Sequence, residues 1–448
     1  MTVLLLLSVF VPLSIAFAVR VAQPRDRRGL ASQTLLTWIV LVPLAAFMNE
    51  WMPFAGGGDD EGYFEYANPP PASVGEALDL DRFQGLLTQP GYAWILSLLN
   101  AVIGHDLLAY KLLNLFFLIS LSLVWYCIGL KLEGRRFARQ VALTVLLLTP
   151  LWYYVSFLLK DMTITLLQSL ALLGTIQVWT RFRPASVVLV GGSSLLLLPF
   201  RTPLLLQNAG VLGGSMLLKG VARGTRHRGI AIPLLLGLSV SAALVVALSK
   251  PEIVAVLGVL DRSRTLSDSM LEDALSRRES VSMSPIAFPV TYLLIETAGL
   301  NPRAWETLDS SWLRGTLALP WILLVVPCFA LGIRSLTRPH SRLNRQWNRG
   351  IGWIARLRSS DALATPWSAV LLFIASSFAI SWIVGDTTRA RIPDMPMFAA
   401  VAVLGWNRTN RPQRSKVLMW WIFGLGSSYG ALTLIRALGI TASAVVTQ

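Results

Sequence analysis

Long apolar runs, each bounded by charge or by proline, recur from one end of this chain to the other. After Met1–Val19 come Thr34–Pro53, Leu107–Leu130, Val141–Leu159, Met162–Thr180, Ala185–Phe200 and Pro203–Leu218. Ile230–Leu248, Thr316–Ile333, Ala364–Val384, Ile392–Trp406 and Val417–Leu438 complete the series. Each is near the ~20 residues that a helix needs to cross hydrocarbon. None alternates apolar and polar positions in strict period two, so the pattern predicts helices and not a barrel. The expected fold is an all-α polytopic membrane protein of about twelve transmembrane helices, forming a single integral membrane domain over residues 1–448. Gln89–Gly104 is apolar but short. If it crossed as well as Leu107–Leu130, the bases that follow would change sides, so Pro90–Ile103 is placed in the interface or as a re-entrant piece.

Charge orients this pattern. Of 448 residues 54% are hydrophobic and only 14% charged, with a net charge of +15. That balance does not point to nucleic acid, because the bases are divided among short inter-helix loops as orientation in a membrane requires. Loops at 20–28, 131–139, 181–183, 219–228, 334–363 and 408–416 hold 25 of the 39 Lys+Arg, and their only acids are Asp26, Glu133 and Asp361. They are expected on the cytoplasmic side of a plasma membrane. The first helix is read as retained with its N-terminus outside, since its bases follow the apolar run, although Ser14–Ala18 resembles a small-residue cleavage site. Residues 54–106 then form a first external loop carrying interfacial helices, and residues 250–315 a second. Cys127 and Cys328 lie in separate apolar runs and read as packing residues.

Ionisable groups at a membrane boundary are costly and so mark candidate sites. The first external loop holds Gly56-Gly57-Gly58-Asp59-Asp60-Glu61-Gly62-Tyr63. A carboxylate here serves as general base toward an acceptor, or as ligand to a hard divalent cation that neutralises a phosphate. Equally, these acids suit an exposed loop with an Asp capping a helix that starts near Gly62. Lys160-Asp161 sits between two apolar runs with no room for a loop. It reads either as an interfacial ion pair or as a site wall, with Lys160 facing an anion and Asp161 orienting it. Arg201 is framed by Pro199 and Pro203, which preclude one straight helix. Arg389 and Arg391 precede Pro393 at the head of a short apolar run. These bases either anchor the chain at the interface or form a pocket for a lipid phosphate. His105, His227 and His340 are scattered, and no Cys/His cluster or nucleotide loop is present.

The order of these features resembles a known class. An acidic loop precedes Gln89-Pro90-Gly91-Tyr92-Ala93-Trp94-Ile95-Leu96, then Lys111-Leu112-Leu113-Asn114, then Thr149-Pro150-Leu151-Trp152-Tyr153-Tyr154 leading to Lys160-Asp161. Arg389-Ala390-Arg391-Ile392-Pro393-Asp394-Met395-Pro396 and Ala304-Trp305-Glu306 follow. This resembles the bacterial GT-C class glycosyltransferases, and is similar to the protein O-mannosyltransferase and aminoarabinose transferase families and to related polysaccharide-cluster membrane proteins. The resemblance spans residues 57–177 closely and 285–406 loosely. It implies transfer of a sugar from a polyprenyl-phosphate donor to a glycan, lipid or small acceptor at the outer face, facing the periplasm or exterior. Asp59 or Asp60 is then the catalytic base, with Glu61, Asp161 and Tyr63 in support, and Lys160, Arg201, Arg389 and Arg391 hold the lipid phosphate. No cofactor is implied beyond a divalent cation. A polysaccharide polymerase or ligase on the same face is the rival, needing the arginines and not the acids. A lipid-linked-sugar flippase would want mid-span polar groups and repeats.

Overall fold

The computed structural model describes residues 2–54, 59–68, 76, 91–201, 203–222, 316–337, 365–384 and 392–437. It is 88% helical, with no strand among the described residues. Among the described residues five helices are long and apolar enough to cross a membrane: Thr2–Val21, Pro24–Trp51, Leu107–Leu132, Asp161–Thr180 and Thr316–Leu336. We number the helices α1 (Thr2–Val21), α2 (Arg27–Trp51), α3 (Asp59–Tyr66), α4 (Gly91–Ile103), α5 (Leu107–Leu132), α6 (Arg135–Leu146) and α7 (Thr149–Ser156). Then follow α8 (Asp161–Thr180), α9 (Pro184–Leu196), α10 (Pro203–Ala222), α11 (Val326–Thr337), α12 (Trp367–Val384), α13 (Met395–Arg408) and α14 (Arg411–Ala437).

α5 and α8 are the centre. Both are apolar all round, as a helix enclosed by others must be, and 83% of each apolar window is buried, against 17% for α1. α5 packs on α1, α2, α6 and α8, and α8 packs on α9 and α10. The expected single span Val141–Leu159 is corrected: it is two short helices, α6 and α7, broken at Leu147-Leu148, with Pro150 in the first turn of α7. Proline suits a helix start because its missing N–H has no partner to lose there. Uniform hydropathy concealed the break. The acids are corrected too. They do not lie in a loop ahead of a helix at Gly62, because α3 itself begins at Asp59.

α4 is 13 residues, roughly 20 Å at 1.5 Å per residue and too short to span. It turns at Gly104, whose φ of 85° favours glycine, into α5, where the Asp106 side chain accepts from the Ala109 N–H at 3.1 Å.

Three of the loops that carry bases meet at one end of the bundle. Asp26, 2% exposed, accepts from Arg135 Nε at 2.8 and 2.9 Å and from the Tyr126 hydroxyl at 2.9 Å. Glu133 pairs with Arg408 at 2.7 Å and accepts from Trp367 Nε1 at 2.9 Å. Asn407 Nδ2 donates to Gln140 at 2.6 Å, and Lys219 donates to the Trp179 carbonyl. Segments 20–28, 131–139 and 408–416 are thereby joined through Asp26–Arg135 and Glu133–Arg408.

α11 and α13 cross with backbone against backbone. A Cβ at Gly332 would overlap the Val401 carbonyl, and one at Gly405 would overlap the Cys328 carbonyl and Gly332 itself. Small residues permit such approach where lipid offers no hydrophobic drive to association. Ahead of α11, Trp321–Val325 forms a π turn after Pro320, and Trp421 Nε1 of α14 donates to the Ile322 carbonyl there at 2.8 Å.

Candidate functional site

The acid helix is pinned by its aromatic side chains. Phe64 stacks on His105 at 3.9 Å between ring centroids, and His105 Nδ1 lies 3.3 Å from the Tyr110 hydroxyl. Burial pushes the His105 imidazole below its ordinary value, with Asp106 pulling the other way. Tyr63, 3% exposed, meets the Tyr92 ring edge-on at 5.1 Å. These contacts turn Asp60 inward, so it is only 1% exposed, while Glu61 points to the surface. Asp60 acts electrostatically on Lys111. Lys111 is fully buried in α5, donates to the Pro53 carbonyl at 2.8 Å and lies 5.8 Å from the centre of the Phe157 ring.

Phe157 belongs to the short non-helical link between α7 and α8 that presents Lys160 and Asp161. Helix ends leave backbone groups without partners, and one side chain supplies several here. Asn114 Nδ2 faces the carbonyls of Tyr154 at 3.4 Å, Phe157 at 3.1 Å and Leu159 at 3.2 Å, while its Oδ1 accepts from the Tyr92 hydroxyl at 3.0 Å. Asn114 thus fastens α4, α5 and the link together. Interhelical hydrogen bonds in membrane proteins average about 0.6 kcal/mol, and stranding buried groups costs about 1–3 kcal/mol. Asn114→Leu is therefore expected to cost roughly 2–4 kcal/mol, read as a lower thermal unfolding midpoint in detergent. An unchanged midpoint would mean that Tyr92 and the three carbonyls find other partners.

Asp161, 1% exposed, opens α8. Its Oδ1 and the Thr163 hydroxyl are buried and find no hydrogen-bond partner among the described residues. Tyr92 lies within electrostatic reach of both Tyr63 and Asp161. Arg201 ends the turn after α9, its N–H donating to the Leu197 carbonyl at 2.8 Å. That turn is bonded to α4, whose Gly91 N–H donates to the Pro199 carbonyl at 3.0 Å. A Cβ at Gly91 would stand 3.0 Å from both the Phe200 ring and the Pro199 backbone. Tyr63, Tyr92, Leu158, Leu197 and Phe200 belong to one buried cluster. The acid helix, the Lys160-Asp161 link and the Arg201 turn are accordingly brought together.

Arg389 and Arg391 lie outside the described residues, as do Gly56–Gly58, the Asp59 side chain and the second external loop. The 3-10 turn Ile392–Asp394 that follows the arginines packs on α8. Asp394, 3% exposed, accepts from the Ser377 hydroxyl at 2.8 Å. Gln207 of α10 donates to Ser377 and to Ser376, and accepts from Gln168 of α8 at 3.1 Å. This buried polar ladder joins α8, α10, α12 and the turn within about two helical turns of the ends that carry Asp161 and Pro203.

Sequence reasoning nominated neither Lys111 nor Asn114, though both stand in the quoted Lys-Leu-Leu-Asn motif. Their signal was polarity inside an apolar run. Among the described residues no group of three or more His, Cys, Asp or Glu is placed to hold a metal ion. No family model and no curated protein matches the chain.

Proposed function

We propose that the chain is a membrane glycosyltransferase of GT-C type, with about twelve spans, that moves a sugar from a polyprenyl-phosphate donor to an acceptor. Asp59 or Asp60 acts as the base that activates the acceptor nucleophile. The nucleophile attacks the anomeric carbon as the bond to the phosphate oxygen breaks. Lys160, Arg201, Arg389 and Arg391 stabilise the phosphate charge that develops on the leaving lipid. One displacement with one base inverts the anomeric centre.

The observation that carries this proposal is the shared packing of the acid helix, the Lys160-Asp161 link and the Arg201 turn at one end of the bundle. Three segments far apart in sequence contribute one carboxylate-bearing and two cation-bearing elements there. The test is release of lipid phosphate by the purified chain from a panel of polyprenyl-monophosphate hexoses and pentoses. Turnover of at least one donor is expected, and its loss when Asp59 and Asp60 are both replaced by Asn. No turnover across the panel, or full turnover by the double variant, sinks the assignment.

A further inference from the structure

At the end of the bundle away from the acid helix, α2 and α6 flank a cleft of about 340 Å³ lined by Gln33, Arg135, Arg136, Arg139, Gln140 and Leu143. Arg135 is committed to Asp26 at 2.7 Å, and Arg139 approaches the same carboxylate at only 3.8 Å. Arg136 makes no ion pair with the described residues. Three guanidinium groups therefore line the cleft, and only two of them approach the Asp26 carboxylate. Gln33 Nε2 is buried and has no acceptor among the described residues. The head of the cleft is rich in donors and carries surplus positive charge.

Further along, the same two helix faces turn apolar. On α6 and its C-cap, Arg136, Arg139, Gln140, Leu143 and Leu147 follow at steps of one to four residues that keep them on one face. Leu143 is 46% and Leu147 56% exposed. On α2, Gln33 is followed on the same flank by Leu36 and Val40, 60% and 51% exposed. From the cleft onward the flanking helix faces thus pass from cationic to apolar, as a phospholipid passes from head group to chain.

We infer that this groove binds an anionic phospholipid. Its phosphate lies against Arg136, Arg139 and Gln33, where guanidinium forks suit phosphate oxygens. An acyl chain runs between Val40 and Leu143. Basic recesses between membrane helices recognise anionic head groups in this way. The site is separate from the proposed transfer site and stands whether or not that activity is found.

The test uses the full chain, purified in detergent and stripped of lipid. It is titrated with dioleoyl phosphatidylglycerol or dioleoyl phosphatidylcholine while native mass spectrometry counts bound lipids. The anionic lipid is expected to bind at one site about tenfold more tightly than the zwitterionic one. Arg136→Gln/Arg139→Gln should erase that preference with little change in the thermal midpoint, since Arg135 still holds Asp26 at 2.7 Å and Arg139 reaches it only at 3.8 Å. Leu143→Glu, with the arginines intact, should weaken phosphatidylglycerol binding by obstructing the chain. Equal affinity for both lipids, or an undiminished preference in the arginine variant, overturns the inference. Inorganic phosphate that displaces the lipid as effectively as more phosphatidylglycerol does also overturns it, leaving only a free-anion site.

Discussion

Asp60→Asn is expected to destabilise the protein by roughly 3 kcal/mol, because Lys111, buried in α5, then loses the opposite charge within its electrostatic reach. Lys111 is fully buried, and Asp60, 1% exposed, lies within electrostatic reach of it. A protein that loses this much fails to accumulate or to turn over substrate for reasons unrelated to chemistry. The companion variant Lys111→Met/Asp60→Asn separates the two effects. With both charges gone, most of the lost stability should return, since the cost is that of an unpaired charge. The measurements are thermal midpoints in detergent and lipid-phosphate release for wild type, both single variants and the double variant. A stable, inactive double variant assigns the base to Asp60. A stable, active one assigns it to Asp59 and leaves Asp60 as the partner that lets Lys111 lie in the core. A double variant no more stable than Asp60→Asn would refute the pairing.

Gly405→Leu carries an expected effect of similar size at a place remote from any chemistry. Even a methyl at Gly405 would overlap the Cys328 carbonyl and the Gly332 backbone, so α11 and α13 would have to separate. Overpacking typically costs about 1–3 kcal/mol where side chains can yield, and more where the obstacle is backbone. For Gly405→Leu a loss of roughly 4 kcal/mol or more is expected, seen as a lowered midpoint or as failure to accumulate folded protein. Gly192→Ala and Gly210→Ala are the controls, since a Cβ at either position meets nothing within 4 Å. Helix propensity should there stabilise by about 0.5–1 kcal/mol. If Gly405→Leu behaves like these controls, the close crossing is wrong.

Much of this arrangement was legible in the chain and some was not, for physical reasons. Run length and loop charge predicted the central helices, and the basic segments do contact one another through Asp26–Arg135 and Glu133–Arg408. Proline framing around Arg201 foretold the turn after α9. Shortness and charge balance kept α4 from being read as a span. Pro150, by contrast, marked the α6–α7 break, yet a hydropathy average is blind to a break between two equally apolar pieces. Lys111 and Asn114 were harder. In an apolar run every face looks alike, and only the fold reveals which carbonyls a buried amide will meet. The candidate acids and bases could be picked out singly, but not the arrangement of those that are described. The contacts that hold the set come from Tyr63, Tyr92, Phe64 and His105, whose aromatic character says little about partners.

The hydrogen bonds of Asn114 also bear on the order in which the chain is made. α5 is synthesised before Tyr154, Phe157 and Leu159, the residues whose carbonyls face Asn114. When α5 first reaches the bilayer, the described partners already made are Pro53 and the acid helix for Lys111, and Tyr92 for Asn114. A helix bearing a lysine and an asparagine is a poor lipid-facing span. Its release into lipid is therefore expected to wait until some forty residues more have left the ribosome, so that α5 and the α7–α8 link are admitted together.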